Sequence, residues 1–452
     1  LLRLQPVFVY TSHERKEATS WRWTAEIYEK NAVEDERLRI LQDLEAIKSQ
    51  ADFPIEILPL LSVLDKEQAA AVDPSRYDAL LIYASARNPG VLEAVAHPGK
   101  WNLMFVRHRS GPIYYMYVGV HGHFFRKGRD AVCQPRMTLN DVVVDSREDL
   151  LWRLKALTGL HNTLGKRIVC IGEPGGWGAE GELAPVRARE RWKLELLTVT
   201  YQDLDRRLKS VTSDPVFLNR CRRAAGRYLD RQRVRLETSM EFLERAFILT
   251  EVFRNYLDEA KTDALTIGSC MYTVMEVAKT TACMPLSILN DEGCLALCEG
   301  DFVSIPAGIL LHSIAGTPVF MCNPSFPYNN EVTVSHCTAP SRMDGRVSDP
   351  VRILTHYESD FGAAPKVEMR AGQKLTLLDA DFEDKRLMGF SGEIRSTPFY
   401  PMCRTQLEIG LQSESAKLTE ELRGWHWMIC YGDHLNEVGY AAGKAGLQWL
   451  KL

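Results

Sequence analysis

Short apolar runs separated by longer helical patterns confine this chain to few architectures. Pro6–Tyr10 (PVFVY), Pro54–Leu58 (PIEIL), Ala79–Tyr83 (ALLIY) and Asn102–Val106 (NLMFV) are short apolar runs, and all but Pro54–Leu58 carry apolar residues in succession rather than in alternation. Strands apolar on both faces belong to parallel sheets covered by helices. Between the first two runs, Asn31–Gln50 sets Leu38, Ile40, Leu41, Leu44 and Ile47 near helical spacing among charges. Strands alternating with helices imply right-handed βαβ units in a doubly wound layer.

A second such series follows a predicted helix at Asp149–Leu164. It comprises strands at Arg167–Gly172 and Leu194–Thr200, long helices over Asp214–Arg231 and Arg235–Ala260, and a strand at Ala264–Gly268. Leu286–Gly316 then reads as helix, turn, short strand and helix, and Pro318–Cys322 as another strand. Past residue 325 the segments shorten. Val332–Ser335, Lys366–Met369, Lys374–Leu378, Gly392–Arg395 and Gln406–Leu411 favour β-structure between Gly, Pro and Asp, before a closing helix at Asp433–Leu447. The expected fold is therefore α/β, with two Rossmann-like doubly wound parallel-sheet domains (1–165 and 166–325) and a β-rich C-terminal domain (326–452).

Composition excludes several classes of protein. With 452 residues, 45% hydrophobic and 25% charged, the chain is neither disordered nor fibrous. A net charge of −4 gives no reason to expect a nucleic acid or an anionic membrane as partner. No apolar stretch has the length of a membrane span. The eleven cysteines are scattered without a CxxC pair, which suggests reduced thiols and a cytoplasmic protein. The chain begins at Leu1, which leaves room for a removed export signal.

Several motifs could carry chemistry. Gly176, Gly178 and Gly181 match the dinucleotide pattern G-x-G-x-x-G, but four residues late after the strand and ahead of Leu183-Ala-Pro185. A nucleotide-dependent oxidoreductase, a substrate-side loop and a plain connector are all compatible with that segment. His121-Gly-His123 could place two imidazoles on one side of a strand, or simply pack. Arg220, Arg223, Arg227 and Arg231 form a helical stripe, which solvation or a subunit contact explains without RNA.

The densest segment is Asn290–Asp301 (NDEGCLALCEGD), where Asp291, Glu292, Glu299 and Asp301 bracket a short apolar strand. Asp301 could cap the next helix. Carboxylates at a strand end are equally placed for metal or acid–base work. His336 ends one strand, and His426 opens an apolar one, where a core role competes with ligation. Asn323, Arg404 and Gln406 are further polar groups at strand ends.

From about Ala264 onward the chain resembles the L-fucose isomerase and L-arabinose isomerase superfamily, in particular its bacterial fucose-isomerase-like branch. The resemblance rests on Ser287-Ile-Leu-Asn-Asp-Glu-Gly293, Cys298-Glu-Gly-Asp301, Gly316-Thr-Pro-Val-Phe320, Ser335-His-Cys337, Cys403-Arg-Thr405 and Gly424-Trp-His426. It implies aldose–ketose isomerisation of a sugar through a cis-enediol, a divalent metal (usually Mn²⁺) and a trimeric or hexameric homo-oligomer. It also implies that Asp301 and His426 hold the metal. Glu299 or Glu276 would move the proton, with Asp301 also at the catalytic centre. His336, Arg404 and Asn323 would bind the sugar.

The chain departs from the family in one place. Cys270-Met-Tyr-Thr273 stands where the branch carries a glutamate, so Thr273 occupies a metal-ligand position and Glu276 lies one turn further on. A non-catalytic sugar-binding relative that lost this ligand is the alternative the departure raises.

Overall fold

The computed structural model describes residues 1–11, 15–19, 27, 30–85, 89–114, 137–178 and 180–452. His121 and His123 lie outside them. The chain divides into two compact units, Leu1–His161 and Asn162–Leu452.

The first unit holds a parallel sheet of β1 (Leu2–Val9), β2 (Ile55–Ile57), β3 (Leu61–Val63), β4 (Ala79–Ala84), β5 (Trp101–Val106) and β6 (Val142–Val144). Its order is β2-β1-β4-β5-β6, with β3 also paired to β1. All six residues of β4 are buried, as continuous hydrophobicity demands of a strand covered on both faces. Beyond β5, the buried Arg107 guanidinium meets Glu36 (Nε to Oε1, 2.5 Å) and Asp43 (Nη2 to Oδ2, 2.6 Å). That pairing offsets the cost of enclosing charge.

The second unit opens with another parallel sheet. It contains β7 (Arg167–Ile171) and β8 (Glu195–Val199). The short strand β9 (Val234–Leu236) leaves this sheet and pairs elsewhere. β10 (Ala264–Ile267) and β11 (Leu295–Leu297) complete the order β11-β10-β7-β8. Helices Pro215–Leu229 and Met240–Ala260 pack beside it. Each begins at a side-chain cap, Asp214 accepting from Val216 N–H and Ser239 from Phe242 N–H. The long helix expected from Arg235 therefore starts later, because residues 234–236 are extended. Leu243, Phe247, Leu249, Val252 and Phe253 bury the inner face of the second helix.

The remaining strands are β12 (Phe320–Pro324), β13 (Glu331–His336), β14 (Val351–Leu354), β15 (Ala364–Val367), β16 (Lys374–Ala380), β17 (Arg386–Ser396), β18 (Thr405–Leu411), β19 (Trp427–Tyr431) and β20 (Gln448–Lys451). Antiparallel pairing runs β16-β19-β12-β13-β18-β17, and β16 pairs β17 to close the path into a barrel-like sheet. β20 adds to β17 in parallel, while β15, β14 and β9 form a small separate sheet. Closure leaves few free strand edges. Trp427 is fully buried in the barrel wall, edge-on to Phe390 at 4.9 Å. Residue 325 follows a strand of this barrel, and 166–325 and 326–452 together make one compact unit. Among the described residues, no helix is long and apolar enough to cross a membrane.

Candidate metal centre

Ligands bind in open parallel sheets beyond the carboxyl ends of the strands. At that end β11 runs into Cys298-Glu299-Gly300-Asp301. Glu299 (φ 64°) and Gly300 (φ 59°) are both left-handed. For a non-glycine residue such a backbone costs about 1 kcal/mol or more and collects at functional turns. The turn is fixed by the loop after β7: Gly175 N–H donates to Gly300 O at 3.2 Å, and Phe302 N–H donates to Gly175 O at 2.9 Å.

Two strands of the barrel supply imidazoles. β12 pairs β13 on one side and β19 on the other. His336 is the last residue of β13, and His426 directly precedes β19. Both are buried, with ring centroids 6.1 Å apart.

Glu299 sits between the two rings. Its Oε1 is 3.3 Å from His336 Nε2 and its Oε2 is 3.4 Å from His426 Nε2. One ligand atom from each of the three lies within 4.8 Å of the others. Behind them, His426 Nδ1 faces Asp301 Oδ2 at 2.8 Å, and His336 Nδ1 faces Thr338 Oγ1 at 3.2 Å. A carboxylate accepts, so His426 presents its Nδ1–H to Asp301 and, when neutral, keeps the Nε2 lone pair for the centre. That Nε2 is buried and lacks hydrogen-bonding geometry to any partner. An orphaned imidazole nitrogen beside a carboxylate and a second imidazole suits a borderline divalent cation. The residues present therefore fit a metal.

Asp301 is committed elsewhere. Its Oδ1 accepts from Trp177 N–H (3.1 Å) and Val303 N–H (3.2 Å), and its Oδ2 accepts from Ser304 Oγ–H (3.1 Å). The structure thus places it against the far nitrogen of His426, outside the Glu299–His336–His426 group.

The electrostatics follow from these contacts. Burial alone would raise the Glu299 carboxyl, but the His336 hydrogen bond and the charge of both nearby imidazoles hold it well below the usual range. Burial also disfavours charged His426, yet the hydrogen bond to Asp301 and the nearby Glu299 carboxylate outweigh it and push the imidazole up to about 9. Burial lowers nearby His356. The thiols of Cys270 and Cys298 are raised by burial and by the Glu299 charge, so they form a neutral wall.

The other expected residues are placed as follows. Arg404 donates through Nε to Thr355 O (2.6 Å) and through Nη2 to Thr355 Oγ1 (3.1 Å), with its guanidinium over the Tyr357 ring. Asn323 Nδ2 donates to Trp425 O at 3.5 Å. Glu276 is exposed on the short helix Val274–Ala278, where it shares a cleft with Asp205, Lys209 and Arg245. Thr273 donates its hydroxyl to Ser269 O at 2.7 Å.

Gly176 packs tightly on Gly181 O, and a Cβ on Gly178 would strike Phe382. After these glycines come the turn Gly181–Leu183 and the helix Ala184–Arg191. In the arginine stripe, Arg220 pairs with Glu251 and Arg231 lies over the Tyr228 ring. Sequence reasoning passed over Thr338, Ser304 and the Trp177 backbone. Only the HCT run at the end of β13 hinted at the first. Compared with known proteins, the chain matches no family model and no curated protein.

Proposed function

We propose that this chain is a metal-dependent sugar isomerase of the aldose–ketose type, with two Rossmann-like doubly wound domains and a barrel that completes the site. The observation that carries the reading is the meeting of Glu299, His336 and His426, with Asp301 behind His426. Glu299, His336 and His426 would hold the ion, for which Mn²⁺ is the first candidate. A divalent ion there polarises a carbonyl and its neighbouring hydroxyl, which makes the intervening C–H acidic. Asp301 fixes the tautomer and orientation of His426. The neutral thiol wall keeps competing charge away.

Glu299 is the carboxylate of the group with an exposed face, its side chain being 32% accessible. It takes the proton from C2 of an aldose and returns it to C1, while the hydroxyl proton passes from O2 to O1. The proton count is unchanged over the cycle. Arg404 and Asn323 are the polar groups offered to sugar hydroxyls, since a polyol is costly to desolvate without partners. The reading carries with it a soluble cytoplasmic homo-oligomer.

The position of Thr273 and Glu276 favours a second reading, a sugar-binding relative without turnover. No carboxylate from that segment joins Glu299. Full-length protein stripped with EDTA and reloaded with Mn²⁺ separates the two. The isomerase retains about one ion per chain and converts aldoses to ketoses, and Glu299→Gln abolishes both. Wild-type protein that takes up no stoichiometric metal sinks the isomerase and leaves the binding relative.

A further inference from the structure

Two large indoles stand exposed beside the centre. Trp177 and Trp425 are 47% and 54% accessible, with ring centroids 6.0 Å apart and planes inclined by 37°. At that tilt neither ring fully covers the other, so aromatic face remains open to a third group.

Their backbones are tied to the carboxylate that orients His426. Trp177 N–H donates to Asp301 Oδ1, and Trp425 adjoins His426, whose Nδ1 faces Asp301 Oδ2. Each tryptophan also follows a glycine that the packing requires. A Cβ on Gly176 would lie 2.8 Å from Gly181 O, and one on Gly424 would lie 2.5 Å from Asp379 Oδ1. Asp379 in turn accepts from Arg423 N–H and Gly424 N–H, both at 2.8 Å. The backbones on either side of the two tryptophans are thus closely packed or hydrogen-bonded, while the indoles they present are exposed. Exposed aromatic surface on a fixed scaffold is preorganised for binding, because little freedom is lost on contact.

We propose that Trp177 and Trp425 form the substrate wall of the site. The C–H face of a pyranose-sized ring stacks on the indoles as the sugar enters, with its hydroxyl edge toward the Glu299–His336–His426 group, and opening of the hemiacetal then frees the C1 carbonyl for the proton transfer. This rests on the sugar-isomerase reading and names its specificity-determining surface. An indole face suits a ring with an apolar face and a polar rim.

The test follows tryptophan emission of the full-length protein titrated with a panel of pentopyranoses and hexopyranoses, both in EDTA and with Mn²⁺. Adenosine serves as a flat-ring control. The wild type is expected to give a saturable change with at least one pyranose. Trp177→Ala and Trp425→Ala keep their backbone groups, so metal stoichiometry stays at the wild-type value. Their KM rises roughly tenfold or more while kcat stays within about threefold, as loss of uniform binding predicts.

Four results overturn the proposal. They are no saturable change with any pyranose, unchanged sugar binding in the double variant, tighter binding of adenosine than of every pyranose, or dissociation of a wild-type oligomer in the variants by light scattering. Saturable pyranose binding through these tryptophans in a protein that takes up no metal leaves the wall standing and removes the isomerase.

Discussion

Asp301 illustrates how a residue can act on a centre through its neighbour. It holds His426 Nδ1 at 2.8 Å and is itself held by two backbone N–H groups and Ser304. Asp301→Asn keeps the shape but offers His426 a weaker acceptor. We expect metal affinity to fall by roughly 10–100-fold, measured by competition with a chelating dye, and His426→Ala to fall further. As a ligand in the proposed site, His426 would also make binding pH-dependent. Its pKa without an ion is raised from 6.5 to about 9. The charged ring therefore stabilises the ion-free fold fully below pH 6.5, and that contribution is lost as pH rises through about 9. An ion must displace this proton, so its apparent affinity should weaken about tenfold for each pH unit below about 9. A flat affinity profile from pH 6 to 9 would remove His426 from the ligand set.

Strand ends made Glu299, Asp301, His336 and His426 legible as candidates from residue type and position. The division of labour among them was not legible. Which carboxylate turns toward the histidines depends on the sign of φ at Glu299 and Gly300, and no side-chain pattern encodes that sign.

At the scale of elements, the site depends on β12. One strand with a histidine-bearing neighbour on each side brings together residues far apart in sequence. Individual strands were readable, since β4, β7 and β18 follow the apolar runs closely. Their partners were not, because antiparallel pairing across distant segments leaves no periodic trace. Arg235 and Leu236 of the strand Val234–Leu236 were absorbed into an expected helix, as three residues are too few to show a period.

Asp379 on β16 anchors the turn ahead of His426. Burial, the largest influence, raises its carboxyl from 3.8 to about 6 despite two backbone N–H donors. A raised acid stabilises the fold fully below pH 3.8, and that contribution is lost as pH rises through about 6. The change amounts to about 3 kcal/mol. Asp379→Asn should flatten the stability profile across this window in urea unfolding followed in EDTA. An unchanged slope would show that the carboxyl titrates normally.

Across the whole molecule, the three candidate ligands all belong to Asn162–Leu452. Mn²⁺ at about 100 times its dissociation constant should add about 2.7 kcal/mol to the unit that binds it. Hydrogen exchange of the full-length protein should therefore slow in peptides from β11, β13 and β19, with those from β1, β4 and β5 unchanged. Equal slowing in both units would argue that the ion acts elsewhere. The parallel layers were legible from continuous apolar strands. The closed barrel was visible only as β-rich texture, because closure lies in the pairing of β16 with β17.

His426 and β19 are synthesised well after β12 and β13. In the proposed site the second imidazole would therefore reach its place only once that later segment has been threaded beside β12. A ribosome-bound chain that stops short of β19 would have no complete cage for an ion, so loading would follow closure of the barrel.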